Sequence, residues 1–354
     1  MKLLSCISIR VTSHWKIIII NNMRIMKNFT NLFLMAAFSL GMVACSSDQD
    51  VPVVSNGELQ TIEVTLDETD ATTRTTSVVN SSNPDQVLFT FSNKDTLGIF
   101  TSAGGPQLSF PISGSGSSAS FTGGGWGLKS AYTYAAYIPF SKKNYDRTNK
   151  TIPLNYVGQT PTGLNNADHM GAYDYQASAG VHPVNDKANI SLKRQGAIIV
   201  LKLKMPEAAT ITSATISVSG GSIFIKENNL DISGTAINIS AKSANKSTKT
   251  TLLLNNCTTV ANQEFRLYMM AGIPVSLASK TLRVGVRTNT GEVYYAGLSK
   301  YYPTDKTDWT ANTRFCYSAT LRKFTGADPS AYVDDITGTL DQPAVTVPDP
   351  GAWN

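Results

Sequence analysis

Cys45 carries the plainest chemistry in this sequence. It follows Leu40-Gly41-Met42-Val43-Ala44, which closes an apolar stretch beginning at Leu32, and Arg24 and Lys27 stand just ahead of that stretch. Positive charge, apolar core, small residues and then a cysteine together resemble the lipobox read by the lipoprotein signal peptidase. The reaction needs a thiol, because a diacylglycerol thioether forms on the sulfur before the chain is cut ahead of it. The apolar stretch, about a dozen residues, is too short for a ~20-residue membrane span. The sequence therefore predicts a signal peptide over 1–44 and a lipidated tether over 45–57, held durably once two or more acyl chains are attached. An ordinary cysteine near an ordinary signal peptide is the competing reading. Met23 and Met26 each begin a complete leader, so residues 1–22 read as upstream of the true start, and Cys6 and His14 receive no role. Ser46-Ser47-Asp48-Gln49-Asp50 is polar, and its acidic pair resembles surface-export signals of Bacteroidales lipoproteins.

Beyond the leader, reactive residues are few. Cys257 and Cys316 are the remaining thiols. An oxidising compartment permits a disulfide between them, but bonding needs their Cα atoms within about 7 Å, and two buried free thiols is the preferred reading. His169 and His182 stand in no metal-binding spacing, and no CxxC, HExxH, GxSxG or phosphate-binding glycine loop is present. Asp168-His169 resembles an acid–base pair in composition only, since neighbours on a strand point to opposite faces. The sequence predicts no enzyme, no cofactor and no metal. Tyr132, Tyr134, Tyr137, Tyr294, Tyr295, Tyr301 and Tyr302, with Trp126 and Trp309, form aromatic groups. Such rings can stack on sugars, but cross-strand packing is the commoner use.

The net charge of +5 does not point to nucleic acid. Lys2, Arg10, Lys16, Arg24 and Lys27 all lie in the leader, and removing those five from thirty leaves twenty-five basic residues against twenty-five acidic. A phosphate-binding surface needs its cations clustered on the folded body.

The elements that would position these residues are strands. Of the 354 residues only 16% are charged, against about 25% in an average protein, and Ser, Thr, Asn and Gly make up the difference. Leu59 to Leu66 places Ile62, Val64 and Leu66 on one face at period 2. Asp67 to Asn83 is polar, with Arg74 its one arginine, and reads as an exposed loop. Strand-like runs follow at 87–91, 96–100, 131–138, 150–156 and 189–205, then at 211–218, 222–225, 250–254, 264–271, 281–288, 293–298 and 313–321. Glycine- and serine-rich turns at 113–118 and 123–127 separate the early ones, and Thr288-Asn289-Thr290-Gly291 is a hairpin signal. No helical period is sustained. Short strands at this spacing predict an all-β fold of β-sandwiches, divided into an N-terminal unit at 58–187 and a C-terminal unit at 188–323. The tail, 324–354, contains Pro329, Pro343, Pro348 and Pro350 around an isolated apolar series at Ile336, Leu340, Val345 and Val347. Such a segment cannot fold alone: it is disordered or completes a sheet elsewhere.

In their order, these motifs resemble the fimbrillin family, the subunits of type V pili. Ser92-Asn93-Lys94-Asp95-Thr96-Leu97-Gly98-Ile99-Phe100 is similar to the family's early strand, and Tyr134-Ala135-Ala136-Tyr137-Ile138-Pro139 to its Y-x-A-[YF]-x-P strand. Val157-Gly158-Gln159-Thr160, Asp168-His169-Met170 and the Ala188–Leu203 stretch come next. Tyr268 to Pro274 and the closing group Trp309, Asn312, Arg314, Tyr317 and Leu321 complete the likeness. The resemblance implies two tandem transthyretin-like β-sandwich domains. It also implies a lipid-anchored outer-membrane precursor, exposed at the surface, that a trypsin-like protease cuts after an arginine, releasing the first strand for replacement by the C-terminal region of another pilus subunit. Here Arg74 would be the cut, Leu59, Ile62, Val64 and Leu66 the displaced strand, and Ile336, Leu340, Val345 and Val347 the donor. An ordinary loop arginine is the competing reading of Arg74. The proline-laden tail departs from a stalk subunit, since proline cannot donate to a strand ladder, and leaves room for a tip or anchor role. The alternative function is a non-polymerising surface lipoprotein that binds a glycan or host ligand through its exposed aromatics.

Overall fold

Among the described residues, nearly all of the regular secondary structure is strand. The computed structural model describes residues 60–66, 76–93, 95–104, 107–116, 118–123, 129, 131–140, 151–183, 188–232, 236–241 and 245–333. In chain order the first strands are β1 (Gln60–Leu66), β2 (Thr76–Val79), β3 (Val87–Thr90), β4 (Thr96–Thr101), β5 (Leu108–Ser113), β6 (Ser118–Gly123), β7 (Tyr134–Ile138), β8 (Thr151–Asn155), β9 (Gln176–Val181) and β10 (Ala188–Arg194). A 3₁₀ helix, Asp168–Tyr173, precedes β9. Then come β11 (Ala197–Lys204), β12 (Thr210–Val218), β13 (Phe224–Ile225), β14 (Glu227–Asp231), β15 (Asn238–Ala241), β16 (Lys246–Ser247), β17 (Lys249–Thr258), β18 (Glu264–Ala271), β19 (Leu282–Thr288), β20 (Val293–Gly297), β21 (Ser299–Tyr302), β22 (Thr313–Thr320) and β23 (Arg322–Lys323).

Seven of the early strands close on themselves in the order β1-β10-β9-β7-β4-β5-β6. The order closes this half on itself, with β1 as the strand that joins β6 to β10. Alternation fills its interior: Ile62, Val64, Leu97, Ile99, Phe110, Phe121, Ile190 and Leu192 form one apolar cluster.

The later strands build two sheets, β18-β11-β22-β21 and β17-β12-β19-β20-β23. Ile199, Leu201, Leu267, Met269 and Phe315 of the first share a core with Ile216, Leu252, Val284, Val286 and Tyr294 of the second. The opposite faces of β11, β18 and β22 contribute Ile198, Val200, Tyr268, Met270 and Cys316 to another cluster, shared with Phe89, Tyr137, Leu154 and Leu230. A strand buried on both faces has no reason to alternate, which explains the continuous apolar run from Ala197 to Leu201. In β12 a register shift between Ile211 and Ser213 puts an extra residue in the strand, so Ile211 and Ala214 both reach the core.

Several expectations are corrected. The loop expected at 67–83 contains β2, because Thr76, Val78 and Val79 pair with β3 and Ser77 is buried. The run at 189–205 is two strands, broken at Gln195-Gly196. Asp168 and His169 lie on the 3₁₀ helix, where the strand argument about opposite faces does not apply. The hairpin signal at 288–291, by contrast, holds: it is the turn joining antiparallel β19 and β20, with Gly291 at φ 85°.

Candidate functional site

β1 lies in a slot between two neighbours. It runs parallel to β10, with Ile62 opposite Ala188, Val64 opposite Ile190 and Leu66 opposite Leu192. It runs antiparallel to β6, with Ile62 opposite Phe121 and Val64 opposite Ala119. Ile62 and Val64 are both 0% exposed, whereas Glu63 between them faces outward and accepts a hydrogen bond from Ser120 Oγ at 2.7 Å. One face of the strand is core and the other is solvent, so a one-residue slip would bury a carboxylate.

The pairing is extensive. β1 matches five residues of β10 and six of β6, while β10 meets β9 over two and β6 meets β5 over two. Among the described residues, β6 and β10 thus have more register partners in β1 than in β5 or β9. Taking β1 away would leave two unpaired strand edges and an apolar trench, the arrangement that admits an added strand. Burial of Ile62 and Val64 is worth roughly 1.5–3 kcal/mol each.

Beyond β1 the chain is fastened separately. Ser77 of β2 donates through Oγ to Ala167 O at 2.5 Å and accepts from Gly171 N at 3.1 Å. These bonds fix β2 to the 3₁₀ helix. On the far side of the slot, Arg194 ends β10 and is paired with Asp174 at 2.5 Å, both side chains buried. Gln176 Nε2 donates to the same carboxylate at 2.7 Å, and the Arg194 guanidinium lies 4.5 Å from the Phe89 ring centroid.

Of the residues that the sequence marks as candidates, Cys45, Leu59, Arg74, Trp126, Ile336, Leu340, Val345 and Val347 lie outside the described residues. Cys257 and Cys316 are free and buried; burial pushes the Cys316 thiol up to about 11, which leaves it an unreactive thiol at neutral pH. Tyr134, Tyr137, Tyr294 and Trp309 are buried, so they supply no sugar-stacking platform. Trp309 Nε1 donates to Tyr317 Oη at 2.8 Å. The His169 side chain is only 6% exposed, and burial lowers its pKa to about 4, against the opposing pull of the Asp168 carboxylate. A neutral imidazole in this position cannot serve as an acid near pH 7.

Gln159, within the Val157–Thr160 stretch noted in the sequence, makes a contact that its residue type alone does not specify. Its Nε2 donates to Met270 O at 2.7 Å, and its Oε1 accepts from Met270 N at 2.8 Å. One side-chain amide thus pairs with the edge strand β18 as a neighbouring strand would.

No family model matches the sequence, and no curated protein matches it either. Solved structures do. A candidate cell adhesion protein of Bacteroides uniformis aligns over 75% of this chain and 95% of its own, at 12% identity and a TM-score of 0.46. One from Bacteroides ovatus aligns over 75% and 96%, at 15% identity and a TM-score of 0.44. The tip fimbrial protein Mfa3 of Porphyromonas gingivalis, truncated at its C-terminus, aligns over 74% and 94%, at 11% identity and a TM-score of 0.37.

Proposed function

We propose that this chain is a structural or accessory subunit, stalk, tip or anchor, of a cell-surface fimbria. In this reading it has no enzymatic role. It is exported as a precursor, lipidated on Cys45 and held at the outer membrane. Cleavage at Arg74 frees β1, and a strand from another subunit takes its place. The body divides near residue 188 into tandem transthyretin-like domains, and Ile336, Leu340, Val345 and Val347 are the apolar residues of the chain's own donor segment.

The observation that carries the reading is the position of β1 as the strand joining β6 to β10. A strand at an outer edge would leave no slot behind. This one is paired on both sides, and the chain beyond it is fastened by Ser77, so a cut at Arg74 separates a removable piece from an anchored one. A replacement strand would recover the pairing of both edges and the burial at positions 62 and 64. The burial alone is worth about 3–6 kcal/mol, which reaches the lower end of a domain's stability of about 5–15 kcal/mol, so joined subunits would part slowly.

The test is incubation of the purified precursor with a trypsin-like protease, then gel analysis without boiling. Cleavage after Arg74 should produce SDS-resistant ladders, and R74A should stay monomeric. Complete cleavage with no association, and with no uptake of a synthetic donor strand, would rule out strand exchange.

A further inference from the structure

The outer face of the sheet β17-β12-β19-β20-β23 is unlike its inner one. Cross-strand register places Leu253, Ser213, Arg287 and Val293 in one row, Thr251, Thr215, Gly285 and Tyr295 in the next, and Lys249, Ser217, Arg283 and Gly297 in a third. Along β12 the face is small and polar, with Ser213, Thr215 and Ser217, and Lys249, Arg283 and Arg287 stand beside it on the neighbouring strands. A face of this kind would be wet if left open. Instead Ser213, Thr215 and Ser217 are 0%, 0% and 3% exposed, and the hydroxyls of Ser213 and Ser217 have no hydrogen-bond partner among the described residues.

The chain itself returns to this face. Tyr332 packs its ring 4.3 Å from that of Tyr295, and the Arg283 guanidinium lies 5.6 Å from the Tyr332 ring centroid. Val333 is 0% exposed, and its carbonyl accepts a hydrogen bond from Lys249 Nζ at 3.0 Å. The backbone passes so close to β19 that a Cβ on Gly285 would stand 2.4 Å from Tyr332 O and 2.7 Å from Val333 Cγ1. Glycine is required there by the crossing chain. Beyond Val333 the sequence runs Asp334-Asp335, then Asp341 and Asp349, and residues 334–354 contain no lysine or arginine. An acidic segment is therefore delivered, with its last described residue buried, onto a face bearing Lys249, Arg283, Arg287 and Arg322.

The geometry points to one occupant: residues 334–347 of this same chain dock on the outer face of the five-stranded sheet in the uncut subunit. For its purpose the inference rests on the fimbrial reading, since this segment contains the donor residues. Docked on its own sheet, the tail is withheld from another subunit's slot, and leaving the sheet becomes a step that must precede assembly. The docking itself does not depend on that reading.

The experiment uses the full, uncut chain and an endoprotease that cuts ahead of aspartate, with products tracked by mass spectrometry. Cleavage ahead of the exposed Asp305 serves as internal reference. Docking predicts that the bond before Asp341 is cut roughly tenfold more slowly in the wild type than in G285L, since proteolysis tracks the open population. A second variant, K249E with R283E, reverses charge without adding bulk and should release the tail if G285L fails to fold. Raising the salt should erode the wild-type protection. Equal cutting in the wild type and the charge-reversed variant overturns the proposal. Protection that appears only as protein concentration rises, together with a dimer in sedimentation equilibrium, assigns the face to a second copy and overturns it too. Only first cuts on chains still joined across Asp67, Asp70 and Arg74 are scored, so failure here is distinct from failure to form ladders after cleavage.

Discussion

Arg194 and Asp174 form a two-point ion pair away from solvent, with Nε to Oδ1 at 2.5 Å and Nη2 to Oδ2 at 3.2 Å. Arg194 is the last residue of β10, the strand against which β1 lies parallel. Removing one partner would strand the other charge in the interior, at a cost of about 3–5 kcal/mol. R194M and D174N should each lower the urea midpoint strongly. The double variant R194M/D174L should recover part of the loss, because neither charge is then left buried alone.

Within β1, burial and exposure alternate, and substitutions should track them. I62A removes a fully buried side chain and should cost about 2–4 kcal/mol. E63A changes a residue facing solvent and should stay within about 0.5 kcal/mol. Thermal unfolding of the uncut chain would measure both. Equal effects would mean that β1 does not hold the observed register.

Gln159 makes a paired contact with the Met270 backbone. In Q159L the shape is kept but the amide lost, leaving a buried N–H and C=O unpaired at roughly 1–3 kcal/mol each. Hydrogen exchange should show the Met270 amide losing protection first, ahead of the interior of β11.

His169 should make the protein less stable in mild acid. Its pKa is lowered to about 4 by burial, against about 6.5 in the unfolded chain. Below pH 6.5 the unfolded state binds a proton that the folded state refuses, so the contribution present above pH 6.5 is lost as pH falls toward 4. H169F, which keeps an aromatic ring without titrating, should show a flatter stability profile between pH 6.5 and 4. Denaturant titrations of both proteins across that range would check it.

How much of this can be read from the sequence depends on the element. β18 and β19 are visible because their apolar residues are numerous, and Ile62 and Val64 declare β1 by simple alternation. β6 is not visible: Ser118-Ala119-Ser120-Phe121 offers few apolar side chains, and its pairing with β1 supplies what local propensity lacks. β2 is hidden in a polar stretch for a similar reason, since it is held by β3 and by Ser77 rather than by an apolar face. Asp174 and Arg194 are far apart in sequence, and nothing in either neighbourhood marks them as partners. Barrel closure belongs to the same class, because two strands bordering one slot are set by topology and leave no trace in local composition.

The two borders of that slot are unlike, one parallel and one antiparallel to β1, so only a strand entering in the direction of β1 reproduces both of its hydrogen-bond patterns. Repeated from subunit to subunit, this would make an arrow rather than a symmetric rod. One terminus would present an unfilled opening and the other an unused tail, and growth and capping at the two would be different chemical problems.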